Sequence, residues 1–291
     1  MWKTKETDLE RKENRFLIIL KRISKNPNAM FGLILLAVLV AGVILVPLIS
    51  PYEYSRMDIR AINQGPSRAH WFGTDDMGRD LLTRIFYGGR YSLSISILAV
   101  VFSTAIGMVI GAVAGYFGGF SDTMIMRCLD VLQAIPSTLL TIIISAALGV
   151  GLDKTVIAIS VGSIPGTVRL LRGTVMRTRE EQYLEAAEAI GCSTFRKIVK
   201  YVIPNSWSPL IVSSTMGVAR TILELAALSY IGLGVQPPTP EWGAMLSAAR
   251  GYLRDYPHLL IFPGLFIAIS VLCLNMFGDG LRDALDPKLK D

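Results

Sequence analysis

The chain has 291 residues, of which 52% are hydrophobic and only 18% are charged, and its mean hydropathy is +0.47. Soluble domains usually carry about a quarter charged residues, so this composition excludes an ordinary soluble protein and indicates an integral membrane protein. The net charge of +6 then fits basic cytoplasmic loops better than binding of nucleic acid. The three cysteines, Cys128, Cys192 and Cys273, are far apart and predict neither a disulfide framework nor a metal site.

Six stretches of the sequence are long and apolar enough to cross a bilayer core of about 30 Å as helices of about 20 residues. The first stretch contains no charged residue and is too long for the apolar part of a signal peptide, so we expect it to remain in the membrane. The sequence therefore predicts an all-α integral membrane protein with spans at residues 29–50, 91–116, 122–148, 154–172, 206–232 and 258–278.

The positions of lysine and arginine indicate how these spans are oriented. If the N-terminus lies in the cytoplasm, the inward-facing segments carry about twice as many basic residues as the outward-facing ones, as the positive-inside rule requires. We therefore expect both termini to be cytoplasmic. The chain then divides into a cytoplasmic segment (1–28), a first helix with an external loop (29–90), a core of helices (91–278) and a cytoplasmic tail (279–291).

Proline interrupts the apolar pattern in two of the spans. Pro136 lies in the third span, and the fourth contains Pro165 between Gly162 and Gly166. A proline removes a backbone donor and clashes with the preceding turn, which membrane proteins tolerate where a neighbouring helix or a water-lined cavity satisfies the freed carbonyl. Two interpretations of Pro165 stay open: a kink that serves packing, or a position on a path through the membrane.

A polar stretch from Thr178 to Asn205 stands out between the fourth and fifth spans. Thr178 and Glu181 have the spacing of a capping box, which predicts the start of a helix, and Gly191 is placed to cap its end. A second predicted helix repeats apolar residues on one face, which we expect to pack against the spans of the same chain: Phe195, Ile198, Val199 and Val202.

This much organised structure is not needed to join two spans, and it predicts a surface that docks a partner. A helix lying on the membrane surface is the alternative, and it suits the second helix best. In the first helix, the alanines allow another surface to approach closely and the carboxylates can pair with its basic groups. The predicted contact residues are Tyr183, Leu184, Glu185, Ala186, Ala187, Glu188 and Gly191.

The stretch 178–205 resembles the EAA loop of bacterial ABC-importer permeases, whose pattern is EAA-x3-G-x9-I-x-LP. The letters EAA at 185–187 are followed by Gly191 and by Pro204 at the family spacing, whereas Tyr201 and Ile203 stand where the pattern has Ile and Leu. The resemblance implies that this loop forms the coupling helix, which in that family sits in a cleft of the ATPase subunit.

Four further segments, in order along nearly the whole chain, resemble the dipeptide, oligopeptide and nickel permeases of this family: 70–93, 114–137, 228–246 and 277–287. The resemblance is to the second permease subunit of such systems. It implies the six-helix, type I (MetI-like) ABC-importer fold in a bacterial or archaeal cell (inner) membrane. The partners that it implies are a second homologous permease, two ABC ATPase subunits and an extracytoplasmic solute-binding protein.

The function implied by this resemblance is ATP-driven import of di- or oligopeptides, with nickel chelates or opines as alternative substrates. No GxxxxGK[ST] loop occurs in the sequence, so we expect ATP and Mg²⁺ to bind the partner ATPases and this chain to hold no cofactor. His70 and His258 do not form a HExxH motif, and no GxSxG motif occurs. We therefore expect a transport subunit rather than an enzyme.

Charged residues inside the predicted spans are candidates for function, because burying a charge in a membrane is costly. Arg220 and Glu224 share a face of the fifth span, where they form either a structural ion pair or a contact with a zwitterionic substrate on the translocation path. Arg127 and Asp130 are a second predicted pair. A secondary transporter driven by an ion gradient would use such groups for coupling, but it leaves the polar stretch 178–205 unexplained.

Three acidic residues, Asp75, Asp76 and Asp80, lie close together before the second span. They suggest either a cation site or a hydrogen-bonded external turn that includes Arg79, and we expect the turn. The segment from Gly232 to Pro240, which also contains Gly234, Pro237 and Pro238, predicts a rigid external loop.

Overall fold

The computed structural model of the chain describes residues 21–285, and over this range every regular element is a helix. The predicted segments 1–28 and 279–291 therefore lie partly outside the described residues. The main helices are α1 (Pro27–Ile49), α2 (Leu81–Phe117), α3 (Gly119–Gln133), α4 (Ser137–Leu148), α5 (Leu152–Arg179), α6 (Gln182–Ala189), α7 (Thr194–Lys197), α8 (Trp207–Tyr230), α9 (Trp242–Ala249) and α10 (His258–Leu285).

Five single helices, α1, α2, α5, α8 and α10, are long and apolar enough to cross a membrane. The third predicted span is instead the pair α3 and α4, which meet at an angle of 82°. The interruption predicted at Pro136 is therefore present, as a sharp bend within residues 122–148. The break falls at Pro136, because proline lacks the donor that continues a helix and disfavours the helical conformation of the residue before it.

Helix α2 begins at Leu81, well before the predicted start at residue 91. Asp80 caps it, since its carboxylate accepts a hydrogen bond from the Thr83 amide at 2.8 Å. The arginines of the first turns find partners within the chain: Arg84 bonds the Tyr54 carbonyl at 2.9 Å, and Arg90 bonds the Val43 carbonyl at 3.0 Å. The hydropathy pattern placed the start of the span after these two arginines. Because their charges are satisfied within the chain, the helix instead includes them.

Helix α5 continues through Pro165 and beyond the predicted end at residue 172, as far as Arg179. Thr178 belongs to its last turn, where the hydroxyl donates to the Thr174 carbonyl at 2.9 Å. The predicted capping box of Thr178 and Glu181 is therefore wrong, because the threonine oxygen is engaged in α5. Glu181 is the residue that precedes α6, with an extended backbone.

Helices α2 and α5 run parallel, with Gly107, Gly111 and Gly115 meeting successive turns of α5, and form the most extensive helix pair of the described chain. Glycine permits this contact: a Cβ atom on Gly111 would lie 2.9 Å from the Val168 carbonyl oxygen, and one on Gly115 would lie 2.8 Å from that of Arg172. Helix α1 packs similarly on α10, where a Cβ atom on Gly32 would lie 2.8 Å from Met276 Cβ. The pair α2–α5 thus fixes the position of the polar segment that follows α5.

Candidate functional site

Helix α6 is held at the end of α5 by its two buried side chains, Leu184 and Ala187. Leu184 belongs to an apolar cluster with Leu171 and Val175 of α5. The stretch of chain after α7 completes this cluster through Val202 and Leu210. Leu184 and Ala187 therefore position α6 within this chain. Of the contact residues predicted from the sequence, these two are not open to a partner.

The open surface of α6 combines small and charged residues with apolar ones. Tyr183, Glu185, Ala186 and Glu188 are exposed. Two large apolar side chains that the sequence analysis did not assign to this surface lie beside it: Ile190 is 82% exposed and Phe195 is 77% exposed. Exposed apolar side chains grouped in this way are typical of a surface that binds another protein.

The exposure of Phe195 contradicts the prediction that it packs against the spans of this chain. Val202, on the same predicted face, is fully buried. Between them the helix changes to a π-helical turn over Ile198–Val202. A π turn inserts an extra residue into the helical repeat, so the face predicted from a period of 3.6 residues does not continue through it.

Gly191 ends α6 with a φ of 76°, a conformation that a glycine adopts without strain. Its amide donates to the Glu188 carbonyl at 2.9 Å, and the Cys192 amide donates to the Ala187 carbonyl at 2.9 Å. These bonds satisfy carbonyls left free at the helix end, so Gly191 has the geometry of the predicted cap. No atom lies within 4 Å of where its Cβ would be, and the constraint is therefore conformational.

Glu188 connects α6 to α7. Lys197 of α7 is buried, and its Nζ donates to Glu188 Oε2 at 3.1 Å. The hydrogen bond to Glu188, and after it one to Tyr116 at the end of α2, raise the pKa of Lys197. Glu188 therefore has a structural partner within the chain, and it keeps the two short helices together.

Two ion pairs join α3 to α5. Asp122 accepts from both Nε and Nη2 of Arg172, and Asp130 accepts from Nη2 of Arg169. The predicted pair of Arg127 and Asp130 is present at 4.0 Å, but Arg169 is the closer partner of Asp130. No local sequence pattern identifies Arg169 and Arg172 as the partners of these aspartates, because the two members of each pair lie on helices that are distant in sequence.

Arg220 and Glu224 do not form the predicted structural ion pair. Both residues are described, and the ion pairs within 4.0 Å over residues 21–285 do not include them. In a helix, an acidic residue four positions before a basic one pairs better than the reverse order found here. Arg220 is exposed and Glu224 is half-buried, so this face of α8 is accessible.

A cavity of about 280 Å³ lies at the bend between α3 and α4. Pro165 and Gly162 line it from α5, and Pro136 lines it at the bend. The two prolines that interrupt the predicted spans therefore lie at one cavity. The lining residues are Leu132, Gln133, Ile135, Pro136, Ser137, Leu140, Gly162 and Pro165.

The acidic residues before α2 form the hydrogen-bonded turn that was predicted. Asp75 accepts from the Met77 and Arg79 amides at 2.9 Å each, and from Arg79 Nε at 2.7 Å. Arg84 Nε also lies 3.2 Å from Asp75. Asp80 pairs with His70 at 2.9 Å in addition to capping α2.

The sequence analysis missed Glu241, which the structure buries completely at the start of α9. Its carboxyl group accepts from Ser92 Oγ at 3.0 Å and from the amides of Gly243 and Ala244 at 3.0 and 2.9 Å. Burial raises the pKa of this carboxyl group despite the three bonds. Its neighbour Trp242 is also buried, and together they fix α9 against α2.

Comparison with known proteins places the chain in a family. Residues 107–291 match the model of the binding-protein-dependent transport system inner membrane component. Residues 15–66 match the model of the N-terminal TM domain of oligopeptide transport permease C.

Several relatives match over almost their whole length. The dipeptide transport system permease protein DppC of Alkalihalophilus pseudofirmus is 45% identical, over 93% of this chain and 89% of the relative. The protein of the same name in Haemophilus influenzae is 42% identical, over 91% and 92%. The glutathione transport system permease protein GsiD of Escherichia coli O6:K15:H31 is 41% identical, over 93% and 89%.

Among solved structures, the inward-facing MetNI methionine ABC transporter aligns with a TM-score of 0.58. The alignment covers 69% of this chain and 96% of that one at 16% identity, and it supports the predicted MetI-like fold. The family assignment also argues against the ion-coupled secondary transporter considered above. The chain is therefore a multi-pass membrane protein that belongs to the binding-protein-dependent transport system inner membrane component family, as a DppC/OppC-like ABC permease.

Proposed function

We propose that this chain is one of two membrane subunits of an ATP-driven importer for dipeptides or glutathione-type small peptides. The observation that carries the proposal is its 45% identity with a dipeptide permease over 93% of the chain. The similarity to glutathione permeases at 41% supports the same class of substrate, a short peptide with charged ends. Nickel chelates and opines are the alternative substrates within the same architecture.

In this proposal the chain crosses the membrane six times, with both termini in the cytoplasm. The pair α3 and α4 then counts as one span, bent at Pro136. The excess of basic residues around the polar stretch 178–205 favours the cytoplasmic side for α6 and α7. The turn that contains Asp75 and the loop that contains Glu241 lie on the opposite side, where an extracytoplasmic solute-binding protein delivers the substrate.

Helix α6 is the proposed coupling helix, and it docks in a cleft of one of two ABC ATPase subunits. Its open residues, among them Tyr183, Glu185 and Ala186, contact the ATPase together with Ile190 and Phe195. ATP and Mg²⁺ bind the ATPases, and this chain requires no cofactor of its own. The chain and a second homologous permease each form half of the translocation path.

The route from α6 to the path runs along α5. Leu184 packs against Leu171 and Val175, so a displacement of α6 acts directly on α5. Helix α5 is continuous from Leu152 to Arg179, and its residue Pro165 lines the cavity at the α3–α4 bend. When ATP draws the ATPases together, α5 carries the movement to that bend, because close-packed helices transmit displacement rather than absorb it.

Reconstitution in proteoliposomes tests the proposal. The chain is purified together with a companion permease, ATPase subunits and a solute-binding protein, and uptake of labelled dialanine and glutathione is measured. We expect uptake that requires both ATP and the loaded binding protein. Uptake that persists without ATP and follows an ion gradient contradicts the proposal. If only a nickel chelate stimulates the ATPases, the substrate is the chelate rather than a peptide.

A further inference from the structure

The two ion pairs between α3 and α5 differ in how completely they are formed. Asp122 and Arg172 make a two-pronged contact, and their side chains are 15% and 30% exposed. Asp130 and Arg169 make a single contact, and their side chains are 48% and 46% exposed. The first pair closes a helix contact, whereas the second keeps hydrogen-bonding capacity on both partners.

The open pair lies on helices that are candidates for membrane crossing. A half-exposed charge on such a helix is strongly disfavoured against lipid, so it faces a water-filled cavity or another protein surface. Arg127 lies on the same side, with Nη1 4.0 Å from Asp130 Oδ2, and its side chain is 79% exposed. Two guanidinium groups and one carboxylate are thus presented together.

The cavity at the α3–α4 bend lies one helical turn from this pair on both helices. Gln133 lines the cavity three residues after Asp130, and Pro165 lines it four residues before Arg169. Gly166 lies on the same stretch of α5 and has no atom within 4 Å of where its Cβ would be. Within this chain the charged pair therefore adjoins an open space at the bend.

We infer that Asp130 and Arg169, assisted by Arg127, form a subsite on the translocation path for the charged ends of a small peptide. The free carboxylate of the peptide binds the two guanidinium groups, and its ammonium group binds Asp130. The inference rests on the proposed function, because it names the residues that receive the proposed substrate. It differs from the contact considered for Arg220 and Glu224, which lie on another helix.

The test measures equilibrium binding of labelled dialanine, and of its C-terminal amide, to the nanodisc-reconstituted complex without the binding protein. Omitting that protein removes its own selectivity from the result. The wild-type complex is expected to prefer dialanine to the amide. Arg169→Gln is expected to weaken dialanine binding about tenfold, as for loss of one charge-assisted hydrogen bond, and to abolish the preference. Arg169→Lys is expected to retain part of it.

Two further variants separate recognition from folding. Arg127→Gln alters an exposed side chain and is expected to reduce the preference for dialanine without changing assembly, as judged by size-exclusion chromatography. Arg172→Gln opens the closed pair and is expected to affect both peptides equally.

The inference fails if Arg169→Gln and Arg127→Gln leave the preference intact, if they weaken both peptides equally, or if the wild-type complex binds neither. ATP-dependent uptake of dialanine by the wild-type complex, measured in parallel, keeps the two hypotheses distinguishable. Normal uptake with an unaltered preference in the variants rejects this subsite alone, whereas absence of any peptide uptake rejects the proposed function and the subsite with it.

Discussion

Phe195 and Val202 stand seven positions apart on one predicted helical face, yet Phe195 is 77% exposed and Val202 is fully buried. The π-helical turn that separates them rotates the two side chains onto different sides of the segment. Val202 thereby joins the apolar cluster under α6, and Phe195 is left beside the open surface of that helix.

Phe195→Ala is expected to weaken attachment of the ATPases while changing folding stability by less than about 0.5 kcal/mol, because the side chain is mostly exposed. Val202→Ala is the matched control, and it is expected to cost about 2 kcal/mol of stability because it leaves a cavity. Co-purification of the ATPases and thermal unfolding of the complex measure the two effects. Full ATPase attachment in Phe195→Ala would remove this residue from the docking surface.

Gly191→Val is expected to distort the end of α6, since a β-branched residue at a positive φ costs about 1 to 2 kcal/mol. Peptide uptake and ATPase stimulation should fall, whereas membrane insertion should stay normal. Gly191→Asn is the control, because asparagine tolerates this backbone conformation better than valine does. If both variants take up peptide at the wild-type rate, the conformation of Gly191 is not required for coupling.

Glu224→Gln tests the accessible face of α8. If Glu224 lies on the translocation path, the loss of its charge should alter the rate of peptide uptake while assembly of the complex stays intact. Uptake in proteoliposomes and size-exclusion chromatography provide the two measurements. A variant that transports normally would show that Glu224 has no part in the path.

Gly111→Val is expected to separate α2 from α5, because its Cβ would lie 2.9 Å from both the Val168 carbonyl oxygen and Leu171 Cβ. Overpacking of this kind costs about 1 to 3 kcal/mol. Gly173→Ala, on the same helix pair, has no atom within 4 Å of the added Cβ and should not destabilise the protein. Thermal unfolding of the two purified variants decides the matter, and equal stability would argue against close packing at Gly111.

Glu241 predicts a dependence of stability on pH. Burial raises the pKa of its carboxyl group in the folded protein, so the folded state favours the protonated form. The contribution of this group to stability is then full below the ordinary pKa of glutamate and is lost as the pH rises through the raised value. Glu241→Gln keeps the shape and removes the ionisation.

Thermal unfolding of wild type and Glu241→Gln, measured from below the ordinary pKa of glutamate up to neutral pH, tests this effect. The wild-type protein should lose stability with rising pH more steeply than the variant does. Identical slopes would mean that folding does not raise the pKa of Glu241.

The approximate positions of the apolar helices, the cap at Gly191 and the turn around Asp75 could be predicted from the sequence, because each depends on interactions between near neighbours. Apolar content over about 20 residues marks a span wherever it occurs. A glycine at a helix end and an aspartate that accepts bonds from amides two and four residues on also act within a few residues. The family resemblance, carried by motifs of this kind, was confirmed by the comparisons.

Other features depended on residues that the fold brings together from distant parts of the chain. The nearest basic partners of Asp122 and Asp130 lie on α5, and Glu241 is buried through its contact with Ser92 of α2. Leu184 and Ala187 are buried only because α6 folds back on the end of α5, and the π turn that exposes Phe195 has no signature in the apolar pattern. Hydropathy and periodicity thus determined that the chain is a helical membrane protein with an organised polar segment. The packing of one helix on another decided which side chains of that segment, and which charges of the spans, are open to a partner or a substrate.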